Sequence, residues 1–430
     1  MEKLVEIKNG LLNYNGVCLK DLALKYGTPL KVTFLDVIRA RVAGLKNSFD
    51  QAIKDLNYNG KFIYLNANKA NYSKKEIEVA FLESDGLETS SYYDLLLTHD
   101  IFKENHEVKK LIVCNGYKSK DYLDEIIKIS NTYDIIDVID SVEEYEFLKE
   151  SKVKLEVGVR VHMSSLYEDH DDRFGVTDDE FNYIINDIKN TNLTLTTIHF
   201  HQRGFDYIEE KCVENIKKIF KYYAKSKSKL ATITNLDIGG GTPLPTNHEF
   251  DYDAYAHMLI KLMKDLAKMY EIPEPNIISE NGKYSMKDSL VNIYKVLERK
   301  NTAPNYPWYF VDGSLLIAMP EFYALGEPID VMAISNLNKK QIKARLGGIT
   351  CDCDDVYPLH GEMDLSEDLD GLYIALLGTG SYQNSMNGRY GIHHCLLPEE
   401  IDLVIDRDNN KEYIRNPLQT IDDIKKLMNE

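Results

Sequence analysis

At 430 residues, 43% of them apolar, the chain suits one large barrel plus a second domain and has ample material for a buried core. A net charge of −18 makes a wrapped nucleic-acid backbone a poor partner; the acidity serves either plain solubility or attraction of cationic ligands. Met1-Glu2-Lys3-Leu4 lacks the apolar core of a secretory signal, no stretch approaches a membrane span, and six cysteines in so long a chain do not make a disulfide framework, so a cytoplasmic protein with no nucleic-acid or membrane partner is expected.

In chain order, short apolar runs alternate with amphipathic stretches from about Leu30 to Ile278. The runs include Phe62–Leu65, Lys110–Val113, Ile135–Ile139, Leu155–Val161, Leu195–Phe200 and Leu236–Ile238, and the helical patterns include Ser73–Glu83 and Glu209–Lys227. Strand followed by helix, repeated this often, predicts a parallel sheet, and the regular spacing favours a closed barrel with its chemistry at the C-terminal strand ends. Beyond Asn281 the runs Val291–Leu297, Trp308–Val311, Ile329–Ile334 and Leu372–Leu377 come without long helices between them, which reads as a mostly β domain. Thr420–Glu430 has the pattern of a short amphipathic helix.

Five segments carry residues suited to chemistry. Tyr64-Leu65-Asn66-Ala67-Asn68-Lys69 ends an apolar strand in a lysine, which is costly to bury unless paired or covalently used; a surface lysine is the plain alternative. In Ile198-His199-Phe200-His201-Gln202-Arg203-Gly204 the two histidines alternate along a strand and share a face, fit for a metal or for lying on a cofactor ring. No carboxylate or third histidine follows nearby, so metal is the weaker option. Leu236-Asp237-Ile238-Gly239-Gly240-Gly241-Thr242 puts three glycines after a strand, where backbone N–H groups can meet an anion or simply form a tight turn. Glu280, in Ile278-Ser279-Glu280-Asn281-Gly282-Lys283, is an acid on a strand expected to be buried, and it needs a protonated partner: a pyridinium nitrogen, or Lys283 in an ordinary salt bridge. The loop Gly347-Gly348-Ile349-Thr350-Cys351-Asp352-Cys353-Asp354-Asp355 gathers thiols and acids, able to move a proton or bind a cation. Its C-x-C spacing has no second pair to complete a zinc site, and no metal is expected.

Taken together and in this order, these segments resemble the fold-type-III pyridoxal-phosphate decarboxylases, the family of the ornithine, diaminopimelate and biosynthetic arginine decarboxylases. The likeness runs from Leu22-Ala23-Leu24-Lys25-Tyr26-Gly27-Thr28-Pro29-Leu30 to Tyr382 and beyond. Val311-Asp312-Gly313-Ser314 leading to Met319-Pro320-Glu321, the Cys351 loop, Ile112-Val113-Cys114-Asn115-Gly116-Tyr117-Lys118 and Gly86-Leu87-Glu88-Thr89-Ser90-Ser91 look most like arginine decarboxylases. The chain departs from that pattern in lacking an inserted helical region, in carrying Gln202-Arg203-Gly204 after the histidine, and in having Lys283 where an arginine is usual.

The resemblance implies an α/β architecture: an alanine-racemase-like (β/α)8 barrel over 30–285 that binds pyridoxal 5'-phosphate, and a mostly β domain from 1–29 and 286–430 that carries the cysteine–aspartate loop. It implies that Lys69 holds the cofactor covalently, Glu280 keeps the ring nitrogen protonated and His201 lies on the ring face. Gly239, Gly240, Gly241 and Gly282, with Lys283 and Tyr382, are implied phosphate neighbours, and Glu88 and Ser91 further cofactor contacts. Family members are dimers with shared sites, so Cys351 is expected to return a proton to the substrate carbon in the neighbour's site. Asp352 and Asp354 are expected to bind the substrate's distal cation, with Arg203 near the substrate. The expected reaction is decarboxylation of a basic amino acid: L-arginine to agmatine first, in polyamine biosynthesis, with ornithine, lysine (L or D) or diaminopimelate as alternatives. A racemase on the same barrel and a non-catalytic regulator of a decarboxylase are the rival readings.

Overall fold

The computed structural model describes residues 4–163, 173–201, 209–244, 250–302, 306–383, 385–388, 393 and 395–428. The chain divides into two compact units, Met1–Ala40 with Ser285–Glu430, and Arg41–Tyr284.

The second of these is a closed barrel of eight parallel strands: β1 (Phe62–Ala67), β2 (Gly86–Thr89), β3 (Leu111–Cys114), β4 (Asp134–Ile139), β5 (Leu155–Arg160), β6 (Leu193–His199), β7 (Asn235–Asp237) and β8 (Asn276–Glu280). Each strand pairs with the next in sequence, and β8 closes on β1 with Ile277 opposite Phe62 and Glu280 opposite Leu65. Parallel neighbours require a crossover, and helices such as Lys74–Glu83, Tyr92–Glu104, Lys120–Ile129 and Tyr252–Met269 supply it. Several crossover helices start on a side-chain cap: Ser91, Ser119, Ser141, Thr177 and Asp251 each accept the N–H three residues on. Each such cap contributes about 1 kcal/mol. Strands covered by helices on one face and facing the lumen on the other are apolar throughout, which is why the runs in this half show no clean alternation.

The alternation is nevertheless present in three dimensions. Leu65, Val113, Ile136, Val138 and Ile278 pack together as one small cluster, separate from the larger core that includes Phe49 stacked on Phe62 at 3.7 Å. Two residues further along the same strand directions stand Ala67, Asn115 and Glu280. At the foot of β2 only glycine fits, because a Cβ on Gly86 meets the Leu111 carbonyl oxygen at 2.0 Å.

The other unit is mostly β. Its larger sheet is built on Leu290–Lys300, which pairs antiparallel with Leu30–Phe34, Tyr373–Leu377 and Trp308–Val311. The segment Leu30–Phe34, read from sequence as the start of the barrel range, pairs with Leu290–Lys300 and with Ile401–Asp406. An apolar five-residue run is the same signal in either sheet, so periodicity does not choose its partner. A three-stranded sheet of Val5–Lys8, Leu11–Tyr14 and Val17–Cys18 completes the unit. The C-terminal helix is Ile421–Leu427, capped by Thr420.

Candidate active site

The C-terminal ends of the barrel strands bring together side chains far apart in sequence. Lys69, in a short helical turn after β1, is about one-third exposed and places Nζ 3.2 Å from Oε2 of the fully buried Glu88 on β2. The Ser90 hydroxyl donates to Glu88 Oε1 at 2.6 Å and lies 3.5 Å from Lys69 Nζ. Ser91, the serine singled out from sequence, caps the next helix by accepting the Asp94 N–H at 3.2 Å.

Asn115, just past β3, donates from Nδ2 to Glu88 Oε1 at 3.0 Å and to Glu280 Oε1 at 2.7 Å. Glu280 also lies 3.5 Å from His199 Nε2. Burial opposes the ionisation of Glu280, but the His199 side chain and the Lys69 ammonium overcome it and hold the carboxyl below the usual range. Asp237, buried on β7, goes the other way: burial and then the Glu280 charge raise it well above an ordinary carboxylate. The two neighbouring acids are thus driven apart, Glu280 toward the anion and Asp237 toward the protonated form. Sequence proximity finds no further ligand near the histidines, yet ligand atoms of His199, Asp237 and Glu280 all lie within 4.8 Å of one another, because they come from three consecutive strands.

The glycines are required by close approach. Gly239 and Gly241 have φ of 65° and 95°, and a Cβ on Gly239 falls 2.6 Å from His201 Nδ1. A Cβ on Gly240 meets the Glu280 carbonyl oxygen at 2.8 Å, and one on Gly282 meets that of Ala67 at 2.4 Å. The Gly239 N–H donates to Asp237 Oδ1 at 2.8 Å and the Gly240 N–H to His201 Nδ1 at 3.2 Å. His201 therefore accepts through Nδ1 as a neutral ring, in keeping with burial and the Lys69 charge, which push it down to about 3. Lys283, half-buried, directly follows Gly282. Arg203 lies outside the described residues.

In the β unit the loop after Gln341–Gly347 is held from within. Asp355, 2% exposed, accepts from the Leu316 N–H at 3.0 Å, the Thr350 N–H at 3.3 Å and the Thr350 hydroxyl at 2.7 Å. A Cβ on Gly348 falls 2.1 Å from that carboxylate. The loop tip is outside this brace: Cys351, Cys353 and Asp354 are exposed and Asp352 half-exposed. Cys351 Sγ lies 3.3 Å from Cys395 Sγ, and that sulfur holds the Cys351 thiol above its ordinary value. Tyr382 follows Tyr373–Leu377 with a left-handed φ of 59°, between buried Ser381 and Gln383.

A lysine ion-paired to a buried acid, a buried Glu280 and a glycine turn thus meet at one barrel mouth. Residues 41–287 match the family model of the pyridoxal-dependent decarboxylase, pyridoxal binding domain. The chain belongs to the pyridoxal-dependent decarboxylases. Its barrel is the pyridoxal-binding domain of that family, and its cofactor is pyridoxal phosphate. Among curated relatives, the biosynthetic arginine decarboxylase of Prochlorococcus marinus subsp. pastoris is 27% identical over 300 residues, 63% of this chain and 45% of that protein. The match thus spans under half the length of that relative. Two solved structures share the fold over nearly the whole chain. Diaminopimelate decarboxylase from M. jannaschi has a TM-score of 0.83 at 20% identity, covering 98% of this chain and 97% of that one. Biosynthetic arginine decarboxylase from Campylobacter jejuni also has a TM-score of 0.83, at 18% identity, covering 99% and 90%.

The residues fit the cofactor. Glu280 Oε2 is buried and makes no hydrogen bond within the described structure, which is an acceptor held ready for a protonated ring nitrogen. Sequence reasoning missed Asn115, Ser90 and Asp237 as members of this cluster. The available signal was their position: polar residues at or just past a barrel strand end.

Proposed function

We propose that this chain decarboxylates a basic amino acid, L-arginine before ornithine or lysine, as a cytoplasmic homodimer with shared active sites. The observation that carries the decarboxylase reading is the buried Glu280 with one unpartnered oxygen, linked through Asn115 and Glu88 to Lys69. Pyridoxal phosphate, when bound, supplies an electron sink for the charge left on the substrate carbon as carbon dioxide departs.

The remaining work falls to side chains. Lys69 would hold the cofactor covalently through Nζ. Glu280, an anion in a dry site, would keep the ring nitrogen protonated. His201, a neutral ring, would pack on the cofactor ring, and the turn Gly239–Gly241, with Gly282 and Lys283, would hold the phosphate. Glu88, with Ser90, orients the Lys69 ammonium. Cys351 of one subunit donates the proton to the substrate carbon in its partner's site, and Asp352 and Asp354 receive the distal cation there. The planar guanidinium suits these acids because it meets a carboxylate through two parallel hydrogen bonds. Likeness to biosynthetic arginine decarboxylases supports the same choice.

Carbon dioxide release, measured with added pyridoxal phosphate across L- and D-arginine, ornithine, lysine and diaminopimelate, tests this reading. Turnover led by L-arginine is expected. Preference for a neutral or acidic amino acid overturns it, and a protein that takes up the cofactor but releases no carbon dioxide from any of them is a regulator instead.

A further inference from the structure

Two carboxylates at the barrel mouth, Glu88 and Glu280, come from strands β2 and β8 and have different work. Both are essentially inaccessible to water, so each depends on the donors the fold provides. One group serves both: the Asn115 carboxamide, through Nδ2, at 3.0 Å to Glu88 and 2.7 Å to Glu280. The orientation of that amide follows from its partners, because two carboxylate oxygens on one side demand the NH2 group there. Its backbone is pinned as well, with the Asn115 N–H donating to the Thr89 carbonyl at 2.8 Å.

The loop that carries Asn115 also holds a cation, Lys118, but turns it away. Lys118 Nζ lies 3.2 Å from Asp137 and 2.8 Å from Glu144, both on or after β4. The donor shared by the two site carboxylates is thus a neutral one. A cation in its place neutralises Glu280 and competes with a ring nitrogen for its charge; a carboxamide steadies the anion and leaves its charge intact. The Glu280 oxygen that accepts from Asn115 is Oε1, which leaves Oε2 as the unpartnered atom.

We propose that Asn115 is a positioning residue of the reaction: its carboxamide fixes Glu280 as an anion with Oε2 presented to the cofactor ring, and ties that acid to the Glu88 that orients Lys69. The inference rests on the pyridoxal-dependent reading of the barrel. It predicts that removing the carboxamide lets Glu280 draw the proton away from the ring nitrogen, with substrate affinity little changed.

The test uses the full chain loaded with pyridoxal phosphate labelled with 15N in the ring, and reads the nitrogen resonance against pH without substrate. In wild type the proton shared by Glu280 and the ring sits on the nitrogen; in Asn115→Ala the unsupported carboxylate draws it back, and at neutral pH the nitrogen resonance moves toward that of an unprotonated ring. The nearly isosteric Asn115→Leu, which keeps the volume but offers no donor and adds no charge, shows the same direction of shift and reads the effect should Asn115→Ala fold poorly. In turnover, kcat falls roughly 10- to 100-fold with KM within about twofold, and in a Glu280→Gln background Asn115→Ala adds less than about threefold. An unshifted nitrogen resonance in both variants overturns the proposal, as does a full additional loss in the Glu280→Gln background. Wild-type protein that takes up no pyridoxal phosphate overturns the pyridoxal-dependent reading itself, and the inference with it.

Discussion

The Asp94 carboxylate accepts the Ser90 N–H at 3.0 Å on one oxygen and the Asn68 Nδ2 at 3.1 Å on the other, clamping the residues on either side of the Lys69–Glu88 pair. Burial, and then the Glu88 charge, raise Asp94 from its ordinary 3.8 to about 7. Between those values the folded protein keeps a proton that the unfolded chain has released. The contribution of Asp94 is therefore complete below pH 3.8 and is lost as pH rises through about 7. In Asp94→Asn the slope of unfolding free energy over that window should become less negative, by at most about 1.4 kcal/mol per pH unit. Denaturant titrations at a series of pH values check this; an unchanged slope means that Asp94 is ionised throughout.

Glu280→Gln should fold and take up pyridoxal phosphate but lose activity roughly a hundredfold, because a neutral amide does not hold the ring-nitrogen proton. Steady-state rates beside a cofactor-binding titration measure both halves. A rate within about twofold of wild type removes the pyridinium role from Glu280.

The acids of the Cys351 loop should separate by task. Asp355, buried and accepting three hydrogen bonds, braces the loop, so Asp355→Ala should cost about 1–3 kcal/mol of stability. Asp352, half-exposed, should cost under about 0.5 kcal/mol as Asp352→Asn but raise KM strongly for basic substrates. Thermal unfolding and substrate kinetics on the two variants make the comparison. Equal stability losses, or unchanged kinetics in Asp352→Asn, contradict the division.

Mixing inactive Lys69→Ala chains with Cys351→Ala chains impaired in forming the amine product should restore part of that activity, since one composite site per heterodimer is intact. No recovery after verified subunit exchange means that both residues act from one chain. Cys351→Ala alone should also misplace the returning proton and yield some aldehyde product, detectable by mass spectrometry.

The barrel was legible in the sequence because strand and helix patterns repeat, and β1, β3, β4, β5, β6 and β7 fall on the apolar runs that signal them. Leu30–Phe34 was not, since a short apolar run does not name its sheet. Within the site, Lys69, His201, Glu280 and the glycines stand out locally: a lysine after an apolar strand, paired histidines, a buried acid and a triplet. Asn115 and Ser90 carry no such local mark. They become part of the site only when β2, β3 and β8 close around one axis and bring Glu88 and Glu280 to a common donor. Asp237 is hidden in another way, by its place before a glycine triplet that draws the eye first.

The most direct test of the account is to reduce the pyridoxal-phosphate-loaded protein with borohydride and map the modified peptide. A pyridoxyl group on Lys69, absent from Lys69→Ala protein that has lost turnover, is the predicted result. A stable adduct on any other lysine, or full activity in Lys69→Ala, contradicts the assignment of the barrel mouth as the active site.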